Sequence, residues 1–475
     1  MTLPESEEHG SRAGARLRRA ARTFVRYPAR MIVTGYLVFI GVGTSLLLLP
    51  VATAGPERAT FVEALFTATS AGCITGLVVV DTGTFYSPFG HAVIVGMFQV
   101  GGLGIMTVAS LLGLLVARRM GLRMQLIAHT ETKNLRLGDI RRVIIGVIKM
   151  SFLIEAVTAV FLTSRYMIAY ADSPGEALYW GVFHAVSAFN SAGFALQSDS
   201  MMQYVDDPFI LIPVMVAFTL GAIGFPVIFE VTRHLRTTMR ESDPEVDATP
   251  RHWTVHTKIT ILTHGVLAVV GIFSVIMFEW ANPATMGPLS TMQKLLAGTF
   301  QGLAPRSSGF NTIETGDMSA ATVLITDVLM FIGGGSAGTA GGIKVTTFAL
   351  LGFVILAELR GQPTVHVMGR KIADTVQRQA LTVALISIAA VMSGTIFILG
   401  ISEHRLETVL FEVISAFCTV GLSMGITADL PAAGQVVLCI LMFAGRIGPI
   451  ILASALALQE RPRRYELPEE RPIVG

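Results

Sequence analysis

The sequence predicts an all-α membrane protein: eight transmembrane helices in four helix–loop–helix repeats around one pseudo-fourfold axis. Three observations predict it. Uncharged apolar runs are long enough to span a bilayer. Basic residues are concentrated in every second connection. One glycine-bearing motif recurs four times at a near-constant spacing.

Of 475 residues, 52% are apolar and 14% charged, against about 25% charged in average soluble domains. Mean hydropathy is +0.63. A soluble chain of this composition would need a core larger than single domains build. The formal net charge of +2 says little, because the charges are segregated. Cys73, Cys418 and Cys439 are too few and too scattered for a disulfide framework or a zinc site, and read as small apolar fillers.

Apolar spans lie near 31–50, 89–116, 143–170, 207–232, 259–279, 320–359, 380–400 and 433–458. The 320–359 stretch is too long for one simple helix and holds a glycine run, so it reads as one broken span. Residues 1–30 are polar and arginine-rich, and no small-residue cleavage motif follows. They are expected to anchor the N-terminus in the cytoplasm rather than to bind nucleic acid. Arg118, Arg119, Arg123, Lys133, Arg136, Arg141 and Arg142 fill one connection. Arg233, Arg236, Arg240, Arg251 and Lys258 fill a second, and Arg360, Arg370, Lys371 and Arg378 a third. Arg461, Arg463 and Arg464 follow the last span. The alternate connections hold only Arg58, then nothing from 171 to 206, then Lys294 and Arg306, then Arg405. Both termini are therefore expected in the cytoplasm. The expected units are 1–30 (basic segment), 31–118, 143–240, 256–360 and 377–458 (four repeats), and 459–475 (cytoplasmic tail).

The poorly charged connections carry apolar stretches too short to cross, such as 61–71 and 176–188. These read as re-entrant half-helices. Irregular backbone at membrane depth is tolerated only beside protein or a water-filled path, so each is a pointer to a pore.

The four connections align without gaps as SAGCITGL (70–77), SAFNSAGF (187–194), LAPRSSGF (303–310) and SAFCTVGL (415–422). Gly76, Gly193, Gly309 and Gly421 are separated by 117, 116 and 112 residues. A lone membrane glycine is most simply a close helix contact; four in register mark a repeated unit. A dehydrated cation needs oxygens to replace its hydration shell, and rings of backbone carbonyls supply them. Aiming successive carbonyls inward needs a backbone conformation that glycine adopts cheaply. The half-helix before each loop can turn its negative end toward the cation. The expected cation-binding residues are Ile74, Thr75 and Gly76; Ser191, Ala192 and Gly193; Ser307, Ser308 and Gly309; and Thr419, Val420 and Gly421. No carboxylate sits in the loops.

These strings, with TGLVVVDT (75–82), QVGGLGIM (99–106), RSSGFNT (306–312), TAGGIK (339–344) and GRIGP (445–449), resemble the Trk/Ktr/HKT superfamily of potassium transporters over about 31–460. With eight spans the chain looks more like the Ktr-type membrane subunit than the Trk-type. The resemblance implies potassium uptake through a selectivity filter, in a multi-pass protein of the bacterial inner membrane. It implies a homodimer on a separate cytoplasmic ring of nucleotide-binding regulatory subunits. It leaves sodium open as a coupling or activating ion. Four glycines, none replaced by serine, favour potassium over sodium. The resemblance also implies an intramembrane gate, carried here by Gly333, Gly334, Gly335, Gly338, Gly341, Gly342 and Lys344, with Arg446 facing it. Gly72, Cys73, Ser336, Gly338 and Val345 depart from the family's usual residues.

Other sites are weighed beside this one. GGGSAG (333–338) matches a dinucleotide fingerprint, but it follows a membrane helix and not a strand. Six glycines in ten residues, 333–342, cannot hold a stable helix, and a mobile loop is expected. No organic cofactor, no metal other than potassium and no nucleic-acid partner is expected; lipid surrounds the chain. Lys149 reads as a snorkelling residue. Glu155 and Asp327 are intramembrane charges of open role. Arg306 is expected to brace the third loop, and His184 and His264 to be core residues. Arg446 either pairs with a carboxylate such as Asp327 or faces carbonyls of the glycine run. A secondary transporter of another small cation or solute would show paired broken spans, and only 320–359 looks broken. A membrane enzyme has no triad, metal cluster or phosphate loop to support it.

Overall fold

The structure, a computed structural model, describes residues 28–119, 137–240, 253–306 and 308–448. The N-terminal segment 1–27, the connections 120–136 and 241–252, the tail 449–475, and Ser307 lie outside the described residues.

Among the described residues the chain is almost wholly helical, apart from one two-stranded hairpin, His366–Val367 with Arg370–Lys371. One element order runs four times. First come α1 (Pro28–Leu47), α2 (Phe61–Gly72) and, after a one-turn α3 (Thr82–Phe85), α4 (Pro88–Arg119). Then follow α5 (Leu137–Ala169), α6 (Pro174–Phe189) and α7 (Pro208–Ile223), with α8 (Phe225–Arg240) appended. Next are α9 (Val255–Glu279), α10 (Thr291–Leu303) and α11 (Ala320–Ile332), with α12 (Val345–Leu359) appended. Last are α13 (Asp374–Ile401), α14 (Leu406–Phe417) and α15 (Ala432–Ile447). In each pass a long helix packs along the short one that follows it.

The short helices α2, α6, α10 and α14 have 12, 16, 13 and 12 residues. At 1.5 Å per residue none covers a hydrocarbon core of about 30 Å. Three start on built caps. Thr60 with Glu63 and Ser290 with Gln293 form capping boxes, and Ser173 accepts from Glu176 with Pro174 in the first turn. Local sequence therefore fixes where these helices begin, close to the expected half-helix boundaries.

The spans are less uniform than expected. Ile144–Ala169, α9 and α13 are each long and apolar enough to cross alone; Ile32–Leu47, α11, α12 and α15 are apolar but shorter. The expected span 207–232 is broken: α7 and Phe225–Leu235 meet at 105°. Gly224 makes the corner at φ +97°, and Pro226 just beyond it cannot continue the ladder. Its backbone lies against the Ser336 carbonyl, where any side chain would collide. The 320–359 stretch is broken as expected, between α11 and α12. So two spans are broken, not one, and break-counting no longer argues against a secondary transporter.

Burial is inverted relative to a soluble protein. Ile168 is 74% exposed, Phe209 67% and Phe273 66%, whereas Glu155, Glu279, Arg306, Glu412 and Arg446 are buried. Apolar side chains outside and charged groups inside suit a lipid surround.

Candidate functional site

The four motif loops meet. A methyl group built on Gly76 would lie 2.5 Å from the Ala192 carbonyl oxygen. On Gly193 it would meet the Ser308 oxygen at 2.8 Å, and on Gly309 the Val420 oxygen at 2.7 Å. On Gly421 it would meet the Thr75 oxygen, closest of the four. Each glycine thus abuts the residue before the glycine of the next loop, and the fourth returns to the first. The result is a closed ring. The glycines sit at φ +91°, +70°, +68° and +95°, where side chains are strained even with space.

The route into the ring is set by how the short helices end. After α2, Ile74 donates to the Ala71 carbonyl at 3.1 Å and Thr75 to the Ser70 carbonyl at 2.8 Å. After α6, Ser191 donates to Ala188 at 3.0 Å and Ala192 to Ser187 at 2.8 Å. After α14, Thr419 donates to Ala416 at 3.2 Å and Val420 to Ser415 at 2.9 Å. This is a Schellman termination, whose left-handed residue is usually glycine. Here it is Ile74, Ser191 and Thr419, at φ +52°, +56° and +48°. Left-handed residues other than glycine are uncommon, β-branched ones such as Ile74 and Thr419 most of all, and they cluster at functional sites. Sequence reasoning missed this strain, since nothing in ITG, SAG or TVG announces it.

The termination has a consequence for the carbonyls. N–H groups fold back onto the helix end, which leaves the carbonyls that follow without a backbone donor. Among the described residues, the carbonyls of 74–76, 191–193, 308–309 and 419–421 accept no backbone hydrogen bond. Ser70 and Ser415 hydroxyls accept from Gly76 and Gly421 at 3.1 and 3.0 Å, which pins the loops from behind.

The third loop is built differently. Leu303 stands where the others have serine, and the helix tightens into a 3-10 turn, Ala304–Arg306, around Pro305. Ser308 donates to Ala304 at 3.0 Å. Arg306 is 2% exposed. It donates twice to the Gly333 carbonyl, at 3.1 and 2.9 Å, and to the His264 carbonyl at 3.4 Å. Its Nη2 also meets His264 Nδ1 at 3.1 Å. The expected brace is therefore made, and the core residue His264 is part of it. His184, also buried, meets the Trp180 carbonyl at 2.9 Å and accepts from the Leu196 amide at 3.3 Å.

The partners of Glu155, singled out in the sequence, and the space beyond the ring come only from the structure. Buried Glu155 accepts from Gln99 at 3.0 Å and from Asn190, the last residue before Ser191, at 3.1 Å. Lys149 is exposed and takes no part in this. Beyond the glycines lies a cavity of about 370 Å³, lined by all four ring glycines and by Asp81, Asp199 and Glu314. Asp81 lies in the quoted string TGLVVVDT, whereas Asp199 and Glu314 follow their motifs, which is why motif reading passed over those two.

Against the opposite face of the ring lies the non-helical segment 333–344. Thr339 Oγ1 meets Ser191 Oγ at 2.7 Å. Gly341 lies against the Cys418 carbonyl and the Thr419 hydroxyl, too close for any side chain. The segment is not a free loop. Gly335 and Thr339 donate to the Ala222 and Gly221 carbonyls at 2.8 and 3.1 Å, and Val345 to Gly334 at 3.0 Å. Lys344 donates within the segment to the Ala340 carbonyl. Gly333 begins it at φ +61°, and Gly338 and Gly342 lie within it. Arg446 donates to the Thr339 carbonyl and to Gly101 at 3.3 Å. Of its two expected arrangements the structure has this one. Asp327 is no partner of Arg446: its Oδ1 is buried without a hydrogen bond.

A family model described as TrkH, cation transport protein, matches residues 20–462. The Ktr system potassium uptake protein B of Bacillus subtilis (strain 168) is 38% identical over 444 residues, covering 92% of this chain and 95% of that protein. Its namesake from Vibrio alginolyticus is 36% identical over 447 residues, 94% of each chain. Among solved structures, the potassium transporter TrkH from Vibrio parahaemolyticus superposes with a TM-score of 0.68 at 17% identity, over 90% of this chain and 84% of that one. That likeness speaks to the fold.

Proposed function

The chain belongs to the TrkH family of cation transport proteins, a family of multi-pass membrane transporters and not of enzymes, and from that premise we propose that it takes up potassium through the ring of loop carbonyls. The observation that carries this reading is the ring itself: four loops closed head to tail, with carbonyls that accept no backbone hydrogen bond within the described chain. A cation shedding its water needs such oxygens. Ile74, Thr75 and Gly76, Ser191, Ala192 and Gly193, Ser308 and Gly309, and Thr419, Val420 and Gly421 supply them, with Ser307 completing the third loop. The C-terminal ends of α2, α6, α10 and α14 add their negative dipole ends. Asp81, Asp199 and Glu314 raise the local cation concentration at the outer mouth.

The segment 333–344 is the gate. It lies across the inner face of the ring, and the contact of Thr339 with Ser191 supports this. Arg446 holds a positive charge beside it, an electrostatic barrier that the seated segment stabilises. The units 31–118, 143–240, 256–360 and 377–458 act as four quadrants in the inner membrane, with both termini cytoplasmic. The chain works as a homodimer on separate cytoplasmic nucleotide-binding subunits. The relatives' names, which speak of a system, support partner subunits. Sodium is the coupling or activating ion to test first.

The test is flux through the purified full-length chain in liposomes, with potassium and sodium interchanged. Uptake is expected to prefer potassium, and Gly76→Ser to erode that preference about tenfold by forcing the Ala192 carbonyl aside. A Gly76→Ser protein with an unchanged ion ratio would sink the filter assignment.

A further inference from the structure

Loops one, two and four take their place from their own helix ends, but loop three is held at long range. Arg306 is a buried cation that no carboxylate within salt-bridge distance neutralises among the described residues. Its hydrogen bonds go to carbonyls and to His264. Gly333, which accepts two of them, is the C-cap of α11. A helix C-terminus is where a positive charge is favourable. It is also where the segment under the ring begins. One planar side chain therefore joins two parts of the site, three residues before ring glycine Gly309 and at the first residue of the segment 333–344.

On the reading of ring and gate given above, we infer that Arg306, steadied by His264, is a positioning residue that couples the third ring loop to the intramembrane segment. The gate then cannot leave its seat without displacing the ring, and an ion in the ring holds the gate down. The other contacts between ring and segment are of another kind. Ser191 and Thr419 touch the segment in its middle through single hydroxyls, and Cys418 through its carbonyl. Arg446 bonds the segment but belongs to no ring loop. The guanidinium makes a two-toothed contact with one oxygen, fixing direction as well as distance.

Linkage makes this testable: if the gate's seat depends on the ring, ring occupancy must change gate exposure. The reporter is Ser336→Cys in the full-length protein, labelled with a maleimide in potassium or in sodium at equal ionic strength. The native cysteines are buried and give the background. Potassium is expected to slow labelling at least about fivefold, the lower end of ordinary coupling. Adding Arg306→Lys, which keeps the charge and loses the fork, is expected to cut that ratio below about twofold. If Arg306→Lys fails to fold, His264→Leu decides the matter. It removes one acceptor and leaves the Gly333 contact, and a smaller ratio is expected. Full protection in a folded Arg306→Lys or His264→Leu protein overturns the inference, as does a reporter blind to potassium. Gly309→Ala separates this from the ring reading. If its potassium-to-sodium flux ratio is unchanged, the ring falls and the coupling with it. If the ratio collapses while protection ignores Arg306, the coupling alone falls.

Discussion

Loop three and the other three loops reach the same ring by different physics. Loops one, two and four are positioned locally, within seven residues, by a strained Schellman turn. Loop three is positioned by a clamp to residues 27 and 42 positions away. A local turn is stiff and indifferent to distant motion. A long-range clamp is stiff only while its distant partner stays put. The symmetry of the ring is thus a symmetry of the surface facing the axis, and the scaffold behind it differs by quadrant. Loop two has its own backing, from Asn190 through Gln99 and Glu155.

The largest effect should come from the ring glycines, since each of the four abuts a carbonyl of the next loop. Alanine at Gly421, the tightest contact, should damage potassium selectivity most, and alanine at Gly193 least. Left-handed strain and overpacking together cost about 2–5 kcal/mol, enough for a tenfold loss at Gly421. Flux ratios in liposomes give the order; selectivity unaffected at Gly421 but lost at Gly193 would break the ring geometry.

Arg446→Gln comes next. This residue bonds the segment 333–344 without belonging to a ring loop, so on the proposed gating role its loss should raise potassium flux several-fold and leave the ion ratio within about twofold. A fall in flux through folded protein would mean that Arg446 serves structure and not the barrier.

Glu155→Ala tests the backing of loop two. Gln99 and Asn190 would lose their buried acceptor, at about 1–3 kcal/mol. The thermal midpoint in detergent should drop, and selectivity should weaken less than in the glycine variants. Thr419→Gly probes a local turn from the other side. It relieves left-handed strain worth about 1 kcal/mol and should raise the thermal midpoint slightly while loosening the ion ratio. A lower midpoint would show that the turn is not strained.

The smallest effect belongs to the mouth. Asp199→Asn with Glu314→Gln should lower uptake about twofold in dilute buffer and not at all at 0.15 M salt, where screening falls to about 8 Å. A salt-independent loss would place these carboxylates in direct ion contact.

The four motif glycines, the half-helices before them and the broken stretch near 333–342 were legible in the chain. Hydropathy, caps and a repeated glycine are properties of neighbouring residues, and the chain records them directly. The bend at Gly224 was readable in principle from Gly224 with Pro226, but an apolar run masks it, since hydropathy is blind to direction. The left-handed Ile74, Ser191 and Thr419 were not legible, because ordinary residues occupy them and only the surrounding structure holds them there. Nor were the partners of Arg306, Glu155 and Arg446. A buried polar side chain announces that it needs partners, yet which oxygen answers depends on how distant helices pack. The sequence alone determined that the chain lives in lipid and carries four equivalent glycine loops. Tertiary structure alone decided that the loops close head to tail, and that one of them is tied to the segment beneath.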